Sequence, residues 1–258
     1  MTSFLSRRRF LIGSAAGFGA LGLTGCDDVS QNQHVQHVLA LAERLTMGTQ
    51  RLIVSPQALA REYTEADISP SFHPNGSTAP SSPAYVEMVE TKFANWRLKI
   101  DGMVNRPMEL SLADLKKLPS RTQITRHDCV EGWSAIGKWQ GVPLGLILQT
   151  AGLKPGARYA VFYCADELEQ TLDGSGRYYE SIDLIDAFHP QSILAYSLNG
   201  KDLEVEHGAP LRLRVERHLG YKNAKYLMRI EIRDKFDDLW GGNGGFWEDR
   251  GYEWYAGI

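Results

Sequence analysis

A chain of 258 residues with 43% apolar and 23% charged residues has the proportions of a folded protein, which argues against disorder as its default state. The formal net charge is −3, and the only charged residues of positions 1–25 are Arg7, Arg8 and Arg9, so the remainder is more acidic still. An acidic chain without clustered cations is a poor match for nucleic acid, whose phosphates demand such clusters.

Residues 1–25 read as a targeting segment. Ser6, Arg7, Arg8, Arg9, Phe10 and Leu11 fit the twin-arginine export pattern, an address for proteins exported already folded. Phe10 to Leu23 carries no charge, and its 14 residues fall short of the roughly 20 that cross a bilayer. Leu23-Thr24-Gly25-Cys26 then resembles a bacterial lipobox, the alternative being an uncleaved anchor helix with an incidental cysteine. The expectation is a periplasmic protein tied to the membrane by acyl chains on Cys26. Export in the folded state also favours a protein that acquires a large cofactor before it leaves the cytoplasm.

Residues 26–60 suit a polar tether or a weak helix, and His34 and His37, without further ligands nearby, are assigned no role. Ile68 to Ser82, dense in Pro, Ser, Asn and Gly, is a long loop. Trp96–Ile100 reads as a strand entering the Asp101-Gly102 turn. Ser111, with Asp114 three residues on, starts a helix that Pro119 stops. Val142–Ala151 is a second helix with Gly152 as its C-cap, and Tyr159–Cys164, Leu211–Val215 and Tyr226–Ile232 are strands. The tail, residues 236–258, is rich in glycine and aromatics without regular period, which suits a segment packed on the domain surface. Strands outnumber helices and no βαβ rhythm appears. The expected fold is α+β with a mixed sheet, one compact domain over residues 61–235.

The densest unusual cluster is Arg126-His127-Asp128-Cys129-Val130-Glu131-Gly132-Trp133, followed by Trp139-Gln140-Gly141-Val142-Pro143-Leu144. These two elements resemble the molybdenum-binding segment of the sulfite oxidase superfamily, and most of all its bacterial periplasmic branch typified by protein-methionine-sulfoxide reductase catalytic subunits. The resemblance implies a sulfite-oxidase-type fold, a molybdenum–molybdopterin cofactor and Cys129 as the metal's thiolate. His207 to Arg212 and Gly220 to Lys225 are similar to the family's pterin-binding stretch, which assigns His207, Arg212, Asn223, Ala224 and Lys225 to the cofactor. Phe72-His73-Pro74-Asn75-Gly76 matches the loop from which an asparagine reaches the cofactor, here Asn75. The chemistry agrees: molybdenum takes oxo groups and soft sulfur, a thiolate is softer than a carboxylate or imidazole, and a pterin phosphate needs cations and backbone donors.

Several residues keep two readings. Cys129 and Cys164 could pair as a disulfide in an oxidising compartment, or Cys129 could hold metal while Cys164 is a small buried hydrophobe near the cofactor. Glu131 is either a surface acid or a catalytic acid lining the pocket, and Arg126 either meets the cofactor or forms a salt bridge. Tyr178 falls where the eukaryotic sulfite oxidase type carries a catalytic tyrosine, with Tyr179 one residue away. The resemblance implies oxygen-atom transfer. The segment after Cys129 carries an acid and no arginine, which favours reduction of a small or protein-bound sulfoxide or N-oxide over sulfite oxidation. The chain has no Cys-x-x-Cys-His and no flavin or nicotinamide fingerprint, so electrons come from a separate haem protein or a membrane electron-transfer subunit. The competing reading is a non-enzymatic exported lipoprotein that has kept the fold as a binding module.

Overall fold

The structure is a computed structural model that describes residues 32–258; the twin-arginine motif, the apolar stretch and Cys26 lie outside the described residues. The chain divides into two units, Met1–Leu52 and Ile53–Ile258. The described part of the first is helix α1 (Gln33–Ile53), the second of the two readings of this stretch. Its start is marked by Asn32, whose side chain accepts the His34 N–H at 2.9 Å, and both His34 and His37 face solvent. Among the described residues no helix is long and apolar enough to cross a membrane.

The second unit holds ten strands in two sheets. The first sheet has the order β2 (Met108–Leu110), β1 (Leu98–Gly102), β10 (Leu227–Arg233), β5 (Tyr159–Glu167), β6 (Arg177–Asp183). Its β1–β10 pair is parallel and its other pairs antiparallel, so the sheet is mixed. The second, wholly antiparallel, runs β3 (Arg121–Asp128), β4 (Ser134–Pro143), β7 (Ile193–Leu198), β8 (Lys201–Asp202), with β9 (Arg212–Arg214) also on β7. Helices α2 (Pro83–Glu90), α3 (Leu112–Lys117), α4 (Leu144–Ala151) and α5 (Leu184–Ala187) are short. The α+β expectation with a mixed sheet holds.

Local chemistry explains the boundaries. Ser111 caps α3 by accepting the Asp114 N–H at 3.1 Å while Asp114 returns the bond to the Ser111 N–H. Helix α4 ends at Gly152, whose φ of 67° lies in the left-handed region and whose N–H reaches Leu148 O at 3.0 Å. This helix begins later than the sequence suggested, because Val142 and Pro143 pair with Leu194 and Ile193 in the β4–β7 ladder. Gly141 permits that ladder: a Cβ there would stand 2.2 Å from Leu194 O.

One apolar core packs around the first sheet, with Trp96, Leu98, Ile100, Leu144, Phe162 and Ile230 all shut from solvent. A smaller one, centred on Phe72, Trp139, Ile193 and Ala195, lies against the second sheet. The tail packs on β5 and β6 through individual aromatics: Trp254 Nε1 donates to Ser181 Oγ at 2.9 Å, and Trp240 lies 4.4 Å from the Tyr179 ring.

Candidate active site

Cys129 stands at the tip of the β3–β4 hairpin. The ladder closes at the Asp128–Ser134 pair, Cys129 N–H donates to Trp133 O at 2.9 Å, and Gly132 N–H to Cys129 O at 3.1 Å. Gly132 has φ 88°, a left-handed backbone that explains glycine in the Cys-Val-Glu-Gly-Trp turn. The turn folds Glu131 back on Cys129: the thiol lies 3.6 Å from Glu131 Oε2, which also accepts Trp133 Nε1 at 2.9 Å. Burial first, and then the neighbouring Glu131 carboxylate, push the Cys129 thiol above its ordinary range.

Cys129 opens into a cleft. Four other segments complete its wall: Asn75 to Ser77 of the long loop, Asp166 and Leu168 around the end of β5, Tyr178 of β6, and Tyr221, Asn223 and Lys225 ahead of β10. The tail adds Trp247 and Tyr252. Of the residues expected from sequence, Asn75, Cys129, Glu131, Tyr178, Asn223 and Lys225 therefore share one cavity. Tyr178, rather than Tyr179, faces it, with its hydroxyl donating to Tyr221 O; Tyr179 turns away to Asp249 at 2.6 Å.

Arg212 lies under this group, entirely buried. Its guanidinium donates to His207 O at 3.0 Å, Asn223 O at 3.2 Å and Asn75 Oδ1 at 3.4 Å, and sits 5.0 Å from the Trp139 ring. Ala224 is packed in the core with its carbonyl accepting the Leu213 N–H, so it contributes backbone rather than a side chain to the cleft. His207 faces a separate depression with Phe72 and Glu204, though its carbonyl holds Arg212. Arg126 is not brought to the cleft. It is half exposed, pairs with Asp128 at 2.9 Å, and lines a surface depression with Arg61 and Tyr63. A strand's alternation explains this: on β3 the side chains of Gln123, Thr125 and His127 are buried, which turns Arg126 outward.

The buried floor is crowded with cations. Arg214 is paired, bidentate, with Glu216 at 3.0 and 2.6 Å, and donates to His127 Nδ1 at 2.7 Å. Arg212 has no carboxylate partner among the described residues, and burial together with Arg214 pulls it down to about 9. Burial and Arg212 likewise pull Lys225 to about 7, and burial with Arg214, Arg212 and Lys225 holds His127 well below the usual histidine range. Arg212 Nε, His207 Nδ1 and His127 Nε2 are buried without a partner among the described protein atoms. Such a floor is expensive unless an anion balances it. The donor set fits a cofactor with a phosphate and a metal that takes sulfur: one thiol at the cleft, surplus cations below. Gly208 serves the same cradle, since a Cβ there would meet the Lys225 side chain at 2.9 Å.

Both cysteines are free thiols, which removes the Cys129–Cys164 disulfide. Sequence reasoning missed Ser77, Asp166, Tyr221, Trp247 and Tyr252. Asp166 left one signal, a carboxylate near the end of a largely apolar strand, and Tyr221 lay inside the pterin-like stretch Gly220 to Lys225.

A soft donor over an unbalanced cationic floor, in a two-sheet α+β domain, is the setting of an enzyme that binds an anionic cofactor. The family model described as the oxidoreductase molybdopterin binding domain matches residues 85–240, and the chain belongs to that family, within the sulfite oxidase superfamily. It is a molybdopterin-binding oxidoreductase. A relative from Azospira oryzae, provisionally named a protein-methionine-sulfoxide reductase subunit, is 36% identical over 98% of this chain and 88% of its own length. A protein-methionine-sulfoxide reductase catalytic subunit of Xanthomonas axonopodis pv. citri is 31% identical over 90% of this chain and 71% of its own. Among solved structures, the sulfane dehydrogenase SoxCD of Paracoccus pantotrophus matches 55% of this chain and 39% of that one, at 26% identity and a TM-score of 0.48.

Proposed function

We propose that this chain is the molybdenum-bearing catalytic subunit of an exported reductase that removes oxygen from a sulfoxide or, secondarily, an N-oxide. The observation that carries this is the composition of the cleft around Cys129: two carboxylic acids, Glu131 and Asp166, one lysine, no arginine, and a wall of Leu168, Tyr221, Trp247 and Tyr252. An anion such as sulfite would meet carboxylates there, whereas a neutral oxide on an aliphatic thioether finds aromatic surface and proton donors. Molybdopterin, when bound, supplies a metal that exchanges an oxygen atom and two electrons with substrate.

The chain's own residues divide the remaining work. Cys129 would hold the metal as its thiolate. Arg212, Lys225, Asn75, Asn223 and the His207 segment hold the pterin and its phosphate by charge-assisted and backbone bonds. Glu131, beside Cys129 and fixed by the Trp133 indole, lines the cleft where it can accept a hydrogen bond from the substrate. The overall change is oxide plus two protons and two electrons to sulfide plus water. The electrons come from a separate haem protein or membrane electron-transfer subunit, in keeping with relatives named as subunits. Residues 1–26 support a periplasmic, lipid-anchored location.

The test is a screen of the purified, metal-loaded protein with methionine sulfoxide, free and in peptides, dimethyl sulfoxide, trimethylamine N-oxide and sulfite. A reduced viologen serves as donor, and an oxidised acceptor is supplied for sulfite. Oxide reduction with little sulfite oxidation is expected; sulfite oxidation without oxide reduction would overturn the reading.

A further inference from the structure

Removing an oxygen atom as water consumes two protons in a cleft whose wall is largely aromatic, so the site needs an acid that can be reloaded. Asp166 is placed for this. It is the penultimate residue of β5, where pairing with β6 is irregular between Tyr163 and Glu167, and such irregularity re-aims side chains. As a result Asp166 is only 4% exposed, and what it exposes lies in the cleft that Cys129 shares. One carboxyl oxygen, Oδ2, accepts the Ser77 hydroxyl at 2.7 Å, while Oδ1 has no partner among the described protein atoms.

We infer that Asp166 is the proton donor to the oxygen atom leaving the substrate, a catalytic residue distinct from the metal thiolate and from Glu131. This rests on the oxide-reductase reading. Asp166 gives one proton to the departing oxygen, is reprotonated from solvent through the open cleft, and gives the second, so that water leaves. Two electrons arrive from the reduced partner, and the carboxyl is regenerated.

Burial favours the protonated acid. The charge that bears on it is that of Lys225, while Tyr85, Tyr178, Tyr226 and Cys164 are the titratable groups that its own charge pushes up. Lys225 is the one cation of the set, and its ammonium donates to Ser77 O and Glu206 O rather than to Asp166. Burial pushes Asp166 up to about 6 against the lowering pull of the Ser77 bond and Lys225. A general acid works best when its titration lies near the working pH.

The test uses the holoenzyme with methyl p-tolyl sulfoxide and reduced viologen. The wild-type kcat should fall on the alkaline side of the Asp166 titration. Asp166→Asn should lower kcat by roughly 10²- to 10⁴-fold, change KM little, lose that alkaline limb and retain full molybdenum and pterin. Asp166→Glu should restore the limb. Ser77→Ala removes a bond that favours the ionised form, so it should move the limb to higher pH; if Asp166→Asn fails to fold, this shift decides alone. A readout independent of turnover is the infrared carboxyl band, expected to titrate in the wild type and to vanish in Asp166→Asn. An Asn variant with wild-type kcat and pH profile, or a carboxyl ionised throughout the working range, overturns the inference alone. A wild type that reduces no oxide overturns the parent reading and this one with it.

Discussion

Lys222→Met should be among the most damaging substitutions in the domain, although Lys222 touches no cofactor. Lys222 is wholly buried on the turn ahead of β10, with its ammonium 2.5 Å from Glu180 of β6 and 2.6 Å from Glu248 of the tail. Burial pulls the amine down, but the two carboxylates outweigh that and hold Lys222 above its usual value. Burial and Glu248 together push Glu180 well above the glutamate range, toward its protonated form. Removing the lysine strands two buried acids, a loss of roughly 3–5 kcal/mol. At roughly 2–4 °C per kcal/mol for a domain of this size, Tm should fall by about 6–20 °C. Glu180→Gln mimics the protonated acid and should cost at most about 1 kcal/mol. The sign with pH follows: Glu180 has a folded value above its unfolded one, so its contribution is present at low pH and lost as pH rises through the folded value. Glu180→Gln should abolish that loss. Calorimetry of both variants across pH measures this, and a Lys222→Met protein as stable as Glu180→Gln would refute the reasoning.

Four other outcomes follow. Cys129→Ala should lose molybdenum, while Cys164→Ala, a small buried side chain, should keep it at a cost of about 1 kcal/mol. Thiol counting on denatured protein should find both Cys129 and Cys164 free; neither free would contradict the structure. Arg212→Met replaces an unbalanced buried cation by apolar volume, so apo-protein stability should change by less than about 2 kcal/mol while pterin content collapses, as read by fluorescence of the extracted pterin. Cys26→Ala should move the protein from the membrane to the soluble fraction; an intact mass showing an unmodified N-terminus upstream of Cys26 would count against the lipobox.

The parts legible in the sequence were those governed by neighbours in the chain. Ser111 and Asp114 cap α3 within one turn, Gly152 ends α4, and β1, β5 and β10 show their apolar runs. Strands β3, β4 and β7 were hidden for three different reasons. The buried face of β3 is polar, with Gln123 bonded to Gln191 O at 3.0 Å and Glu216 at 2.8 Å, so its alternation reads as irregular. On β4 the buried positions include Ala135, Gly137 and Gly141 beside Trp139, small residues that give little hydrophobic signal. Strand β7 is buried on both faces and therefore does not alternate at all. In the cleft, the Cys129 turn was legible because its motif is contiguous. Ser77 and Asp166 are 89 residues apart and meet only through the fold, and no local pattern announces such a pair.

That division runs through the cleft itself. The matched family domain, residues 85–240, contains the thiolate of Cys129, the cations Arg212 and Lys225, and the acids Glu131 and Asp166. Asn75 and Ser77 on one side, and Trp247 and Tyr252 on the other, lie outside that match yet complete the wall. The tail is fixed from below by the Lys222–Glu248 bond and from the rim by Arg250, which reaches Glu169 at 3.0 Å beside Leu168. Gly245 is part of the same device, since a Cβ there would stand 2.0 Å from the Glu248 carboxylate. The chemistry thus sits on strands and turns of the common domain, while much of the surface a substrate would meet is carried by flanking segments. Rigid placement of that tail depends on a buried charge network rather than on apolar packing alone, so a substitution such as Lys222→Met, far from the metal thiolate in sequence, reaches the substrate wall through Trp247 and Tyr252.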